Sequence, residues 1–312
     1  MNYIPLVFCF DAQFVNYAAV SIYTAHKSTT SKLKIYCLVP VVDILKISII
    51  NELALQHKID LVIIPIKQVY SAQWKDSSRF SKTVYARLLI PDLISEEKIL
   101  YLDSDVIVQG DLSKLYNTDV SEHTIAGVYD EGGAETSKIP RVLGDLYINS
   151  GVLVMNLSLL RKNNFLKKCQ DIYEQYNDSI VWPDQCIINK YAEGNKVIID
   201  SQWNRCIFSN NISPDNWFHI KQNSIILHFV GPIKPWMEWC NPLVYSFWWE
   251  QATKMEITTI PSIKMKGISN LLDFSSILDK NGDFKTANLV KTDIIRLLLS
   301  EGKNDFRKGT TP

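Results

Sequence analysis

The chain lacks an excess of charge of either sign. Its 312 residues hold 33 lysines and arginines against 33 aspartates and glutamates, a formal net charge of zero. Broad nucleic-acid binding usually needs a strongly basic face, so that class is not expected. No stretch approaches the roughly 20 apolar residues that span a bilayer as a helix. The start, Met1-Asn2-Tyr3-Ile4-Pro5, has no basic region ahead of its first apolar run, so a cleaved signal peptide is not expected either. Six cysteines (Cys9, Cys37, Cys169, Cys186, Cys206, Cys240) are scattered, with no CxxC pair and no zinc spacing. Several lie in apolar runs and read as small buried hydrophobes, and a reducing, cytoplasmic setting is the expectation. A P-loop and a GxGxxG turn are both missing, which disfavours an NTPase or a dinucleotide enzyme. There is no internal repeat and no low-complexity tract. The composition, 46% hydrophobic and 21% charged, is that of a globular protein. Its length permits one large domain, or a main domain with an appendage.

Strand-like and helix-like segments alternate through the first half. Leu6 to Phe10, Leu33 to Val39, Leu61 to Ile64 and Lys98 to Leu102 read as strands. Asn16 to Ala25 reads as a helix, Asp43 as the N-cap of another to about His57, and Lys82 to Ile94 as a third carrying Tyr85 and Arg87. Near-continuous apolar strands separated by helices imply an α/β fold with a mostly parallel sheet covered on both faces. Further on, Ile125 to Tyr129 and Tyr147 to Leu157 are strand-like, the latter with Gly151 inside it, which marks a bulge or a close backbone approach. Ser158 to Tyr176 looks helical, Pro183-Asp184-Gln185 opens a helix, and Ser224 to Phe229 is a late strand ending in His228. Residues 256–312 differ in character: short apolar pieces, then an amphipathic stretch from Phe284 to Leu299. It reads as a helix docked on the main domain or as a membrane-surface helix.

The most informative motif is Asp103-Ser104-Asp105, set between Lys98-Ile99-Leu100-Tyr101-Leu102 and Val106-Ile107-Val108. Unpaired carboxylates between apolar strands are costly, and a divalent cation would offset that cost. In an extended chain, residues i and i+2 share a face, so both carboxylates could meet one Mg²⁺ or Mn²⁺. The alternative is an inert, solvated turn. In open α/β sheets, ligands bind beyond the carboxyl ends of the strands, where Asp103 and Asp11 both fall. His228 offers a third ligand, although a histidine at a strand end is often a satisfied core residue. Lys234, six residues on, could neutralise a departing diphosphate.

Six pieces, in order, carry a family resemblance: Val7-Phe8-Cys9-Phe10-Asp11, Tyr85-Ala86-Arg87, Tyr101-Leu102-Asp103-Ser104-Asp105, Tyr147-Ile148-Asn149-Ser150-Gly151-Val152, Asp184-Gln185, and His228-Phe229-Val230-Gly231-Pro232-Ile233-Lys234-Pro235-Trp236. Over about residues 5–250 the chain resembles the family-eight retaining glycosyltransferases, which include bacterial lipopolysaccharide galactosyl- and glucosyltransferases and the glycogenins. The resemblance implies a GT-A, Rossmann-like fold in residues 1–255, with 256–312 as an appendage. It implies Mn²⁺ (or Mg²⁺) on Asp103, Asp105 and His228, and a UDP-hexose donor. Asp11, Gln13 and Tyr17 would face the uridine, Gly231 and Lys234 the phosphates, and Ser104 would also contact the nucleotide. Arg87, Asp130, Asn149, Asp184 and Gln185 would surround the sugar. Gln13 stands where these enzymes usually carry asparagine. The expected acceptor is a growing glycan such as lipopolysaccharide core or O-antigen, with Trp236 read as a core residue first and as a candidate acceptor contact second, and the enzyme is expected in the cytoplasm or peripherally at the inner membrane. The rival readings are a metal-dependent nucleotidyltransferase or hydrolase on a similar sheet, and a non-catalytic UDP-sugar-binding module.

Overall fold

The computed structural model describes residues 3–67, 74, 81–210, 212–257 and 260–308, with side chains to residue 299. The chain divides into two compact units: Met1–Arg205 with Ser224–His228, and Cys206–Asn223 with Phe229–Pro312.

Among the described residues, the first unit is organised by β1 (Ile4–Cys9), β2 (Leu33–Pro40), β3 (Asp60–Ile66), β4 (Lys98–Leu102), β5 (Val106–Val108), β6 (Ile125–Tyr129), β7 (Ile148–Asn156) and β8 (Lys196–Ile199), of which seven belong to the main sheet. The order in that sheet is β3-β2-β1-β4-β7-β6-β8. The β3-β2-β1-β4 half is parallel, β7 runs antiparallel to both β4 and β6, and β8 is parallel to β6. This is the expected mixed α/β sheet flanked by helices. Its middle strands are apolar and buried almost throughout, as a sheet covered on both faces requires. Each fully buried leucine or isoleucine there contributes about 1.5–3 kcal/mol. The edge strand β3 is half exposed and carries Pro65, whose missing N–H is tolerated at an edge.

β1 and β4 are parallel neighbours, so Asp11 and Asp103 follow their carboxyl ends side by side. Beyond β4 the chain turns at Asp103-Ser104-Asp105 into β5, which stands outside the large sheet. Hydroxyls one helical turn apart on the helix Val15–Ser28 secure β5. Ser21 donates to the carbonyls of Ser104 (2.9 Å) and Val106 (2.8 Å). Thr24 accepts from Val108 N–H (3.2 Å), and Ser28 donates to Val108 O (2.8 Å). The opposite edge of β5 pairs antiparallel with the short strand Ile226–His228, which sets His228 opposite Val106.

Three elements differ from expectation. Asp43 does not cap a helix to His57. It lies buried in a 3₁₀ turn, Val41–Lys46, where its carboxylate accepts from Ala12 N–H (3.2 Å) and Lys46 (3.0 Å), and the helix starts afresh at Ser48. The Lys82 to Ile94 helix is mostly 3₁₀ (Lys82–Leu89), with α-helical turns only at Ile90–Leu93. Ser158 to Tyr176 is two helices, Leu157–Lys162 and Phe165–Tyr176, broken where Asn164 adopts a left-handed φ of 53°.

The second unit is helical: Pro214–Gln222, Pro242–Thr253, Gly267–Lys280 and Phe284–Lys308. Gly267 (φ 74°) and Gly282 (φ 80°) bracket the third of these in conformations that side-chain-bearing residues resist, so the two glycines that break up the sequence pattern also delimit a helix. Trp236 and Trp248 are each 1% exposed, with ring centroids 5.4 Å apart. Trp236 is therefore core, the first of the two readings given for it, and not an acceptor contact. Among the described residues, no helix is long and apolar enough to cross a membrane.

Candidate active site

The first unit gathers most of the anticipated residues at the carboxyl end of β4. Asp103 and Asp105 do not share a strand face, because Asp103-Ser104-Asp105 is a turn and not extended backbone. The turn nevertheless brings both carboxylates to His228, whose Nε2 stands 3.3 Å from Asp105 Oδ1 and 3.7 Å from Asp103 Oδ2. One ligand atom from each of the three residues lies within 4.8 Å of the others. Two carboxylates and an imidazole are a suitable donor set for Mn²⁺ or Mg²⁺. β7 comes close from behind: a Cβ on Gly151 would stand 2.2 Å from His228 Cε1 and 2.8 Å from Asp103 Oδ2. Only glycine permits that approach, which explains its place inside a strand.

Arg87 links this cluster to the rest of the site. It is 6% exposed, with Nη2 2.8 Å from Asp103 Oδ1 and Nη1 3.0 Å from Asp184 Oδ2. Nη1 also donates to Ser150 O (2.8 Å), Nε donates to Val84 O (3.2 Å), and the guanidinium lies 4.6 Å from the Tyr101 ring centroid. Burial works against its charge, but Asp103 and Asp184 more than offset this and hold its pKa above the ordinary value. For Asp184 burial dominates: its carboxyl titrates above its usual range despite Arg87.

Helix Pro183–Tyr191 begins with proline, as expected, and places Asp184 and Gln185 in its first turn, both buried. Ser150 Oγ donates to Asp184 (2.7 Å), and Ser150 N–H donates to Gln185 Oε1 (3.0 Å). Gln185 Nε2 in turn donates to Asp130 (3.1 Å). Asp130 caps the short helix Glu131–Thr136 by accepting from Gly133 N–H (2.8 Å) and also receives Asn149 Nδ2 (3.1 Å). Buried polar groups that are each satisfied hold a single geometry.

Among the other anticipated residues, Asp11 accepts from Gln13 N–H (3.0 Å) and from Thr83 Oγ1 (3.3 Å). The Gln13 side chain is exposed, and Tyr17 is buried with its ring edge-on to Phe14. Ser104 Oγ donates to Cys9 O (3.3 Å). Gly231 and Lys234 belong to the second unit, where Gly231 has a φ of 83° and Lys234 Nζ donates to Phe229 O (2.6 Å). Sequence reasoning missed Asn204 and Ser150. Asn204 is 2% exposed and bonds both His228 and Asn149. Nothing in the local pattern around Trp203-Asn204 signals it, since its partners lie 24 and 55 residues away.

Residues 5–240 match the profile of glycosyl transferase family 8, and the chain belongs to that family. It is a glycosyltransferase with the GT-A fold, related to lipopolysaccharide glycosyltransferases. It is 27% identical over 251 residues to a putative glycosyltransferase of Haemophilus influenzae, covering 76% of this chain and 74% of the relative. Against the lipopolysaccharide 1,3-galactosyltransferase of Salmonella typhimurium it is 24% identical, covering 61% of this chain and 59% of the relative. Other relatives are longer: the chain spans 27% of a probable glycosyl transferase of Streptococcus gordonii and 24% of GlyA of Streptococcus pneumoniae. Among solved structures, an active-site glutamine-to-glutamate variant of LgtC superposes with a TM-score of 0.68 at 25% identity, covering 83% of this chain and 98% of LgtC. The galactosyltransferase LgtC in complex with donor and acceptor sugar analogs gives 0.67 at 24% identity, with the same coverage.

Proposed function

We propose that this chain is a retaining α-hexosyltransferase that moves glucose or galactose from a UDP-sugar onto a growing bacterial glycan of the lipopolysaccharide-core or O-antigen kind. One observation carries the reading. In a family 8 chain, a two-carboxylate, one-imidazole cluster is joined through Arg87 to an Asp184-Gln185 pair. The donor and acceptor analogs bound by LgtC, and the galactosyl- and glucosyltransferase relatives, support a sugar donor and a glycan acceptor.

In this reading Asp103, Asp105 and His228 hold Mn²⁺, with Mg²⁺ as the substitute. Bound there, the cation would stabilise the charge that grows on departing UDP. Lys234 and the backbone at Gly231 would neutralise the same phosphates, while Asp11, Gln13 and Tyr17 would take the nucleoside end and Ser104 would contact the nucleotide. Arg87, Asp130 and Asn149 would orient the hexose. Retention requires either a covalent intermediate or attack on the face from which UDP leaves. The Gln185 carbonyl oxygen already accepts the Ser150 N–H, and Asp184 is held by Arg87 and the Ser150 hydroxyl. Both are committed to hydrogen bonds, and an amide oxygen is a weak nucleophile. Same-face attack is therefore favoured, with Asp184 and Gln185 positioning the sugar.

Release of UDP from a panel of UDP-sugars with Mn²⁺ and oligosaccharide acceptors, followed by product NMR, tests the reading. An α-linked hexose from an α-linked donor supports it. Release of nucleoside monophosphate or pyrophosphate would instead mark a nucleotidyltransferase or hydrolase, and UDP binding without turnover would mark a binding module.

We also infer a functional division at about residue 255, with residues 256–312 bringing the enzyme to the inner membrane surface. Exposed Leu289, Leu298 and Leu299 on the helix Phe284–Lys308, with Lys285 and Arg296 on the same helix, support this. Replacing Leu298 and Leu299 by glutamate should reduce recovery on phosphatidylglycerol-containing vesicles severalfold; unchanged recovery would count against it.

A further inference from the structure

The hydrogen-bond polarity of the site can be followed from one end to the other. Asp130 accepts from Gly133 N–H and receives Asn149 Nδ2 and Gln185 Nε2. A carboxylate only accepts, so Asn149 turns its NH₂ toward Asp130 and its oxygen away. The same orientation is fixed independently by Gly151 N–H, which donates to Asn149 Oδ1 at 2.9 Å. Asn149 Oδ1 must then be met by a donor, and Asn204 Nδ2 lies 2.9 Å from it. That leaves Asn204 Oδ1 facing His228 Nδ1 at 2.9 Å. Two acceptors cannot bond each other, so the imidazole carries its proton on Nδ1 and donates it. Nε2, the atom turned toward Asp105 and Asp103, is then the ring nitrogen that a cation would take. Asn204 is 2% exposed and His228 4%, so solvent does not relax these assignments. Flipping either amide would oppose two donors or two acceptors in a buried place and leave those groups unsatisfied.

We propose that Asn204 is a positioning residue that fixes the tautomer and ring orientation of His228 and so prepares Nε2 as a metal ligand. This rests on the Asp103-Asp105-His228 reading given above. Outer partners of ligating histidines act in this way, and their loss typically costs 10–100-fold in metal affinity. The information originates at Asp130 and at the Gly151 backbone and passes through two amides. The residues that surround the sugar are thereby coupled to the residue that holds the metal.

The test uses the full-length chain, with Mn²⁺ as the probe. Mn²⁺ affinity is measured by calorimetry and electron paramagnetic resonance for the wild type, Asn204→Leu and Asn204→Asp. In parallel, ¹⁵N-histidine NMR of the metal-free wild type in alkaline buffer reports which nitrogen of His228 carries the proton. The expected results are a proton on Nδ1 and a 10–100-fold loss of Mn²⁺ affinity in Asn204→Leu. Asn204→Asp should lose less affinity than Asn204→Leu, because a carboxylate still accepts from Nδ1–H although the donation to Asn149 is lost. A proton on Nε2, or wild-type affinity in Asn204→Leu, overturns the proposal. So does equal loss in both variants, since the bond to Asn149 would then be the one that matters. If the wild type binds no Mn²⁺, the metal reading itself fails; the NMR result distinguishes that failure from failure of the tautomer assignment.

Discussion

The polar site of the first unit and the C-terminal helix pair of the second are built on opposite principles. In the site, charged and amide side chains are buried and satisfied by one another, so removing one leaves its neighbours stranded. In the pair Gly267–Lys280 and Phe284–Lys308, a thin apolar seam (Ile277, Leu278, Ala287, Ile294) does the packing, while Leu289, Leu298 and Leu299 face solvent. The Lys291–Asp279 ion pair there spans 2.7 Å, but its side chains are 44% and 35% exposed. Equal bond lengths therefore carry unequal energies. An ion pair in water is screened, whereas a buried one cannot lose a partner without an uncompensated charge.

This contrast can be tested in decreasing order of effect. Asp105→Ala should reduce Mn²⁺-dependent UDP release by more than about 100-fold with an unchanged circular dichroism spectrum, and Asp103→Ala should do the same while also unpairing one side of Arg87. Full turnover by either would remove these residues from the metal site. Arg87→Met leaves Asp103 and Asp184 without their shared cation and should cost about 3–5 kcal/mol in urea unfolding; a loss below 1 kcal/mol would mean that the buried pairs are better solvated than their geometry implies. Gly151→Ala should cost about 1–3 kcal/mol through overpacking against His228, accompanied by weaker Mn²⁺ binding. Wild-type affinity would show that β7 can retreat. Lys291→Ala, at the other end of the scale, should change stability by less than about 1 kcal/mol.

Much of this was legible in the chain, for reasons that differ by element. β4, β5 and β6 are short apolar runs bounded by polar residues, and their observed limits coincide with the expected ones. Pro183 announces its helix because proline suits only the first turn. The two carboxylates of Asp103-Ser104-Asp105 converge as expected, but for a different reason: a turn, not a shared strand face, brings them together. Asp43 misled because an acidic residue before an apolar run resembles a cap, whereas its partner is a backbone N–H 31 residues away. Trp236 stayed open between core residue and acceptor contact because exposed and buried aromatics look alike in one dimension. The hydroxyl stripe Ser21, Thr24 and Ser28 reads as ordinary small residues on a helix until β5 is seen to hang from it.

The sequence by itself determined most of the strands, the α/β class, the family and the residue types of the site, because hydrophobic period and short motifs are local properties. Tertiary structure decided which acceptor meets which donor: Asn204 on His228, Ser150 between Asp184 and Gln185, and Gly151 beneath the Asp103-Asp105-His228 cluster. Those choices arise from burial. Once water is excluded, each polar atom must find its partner within the fold, and that partner can come from anywhere in the chain.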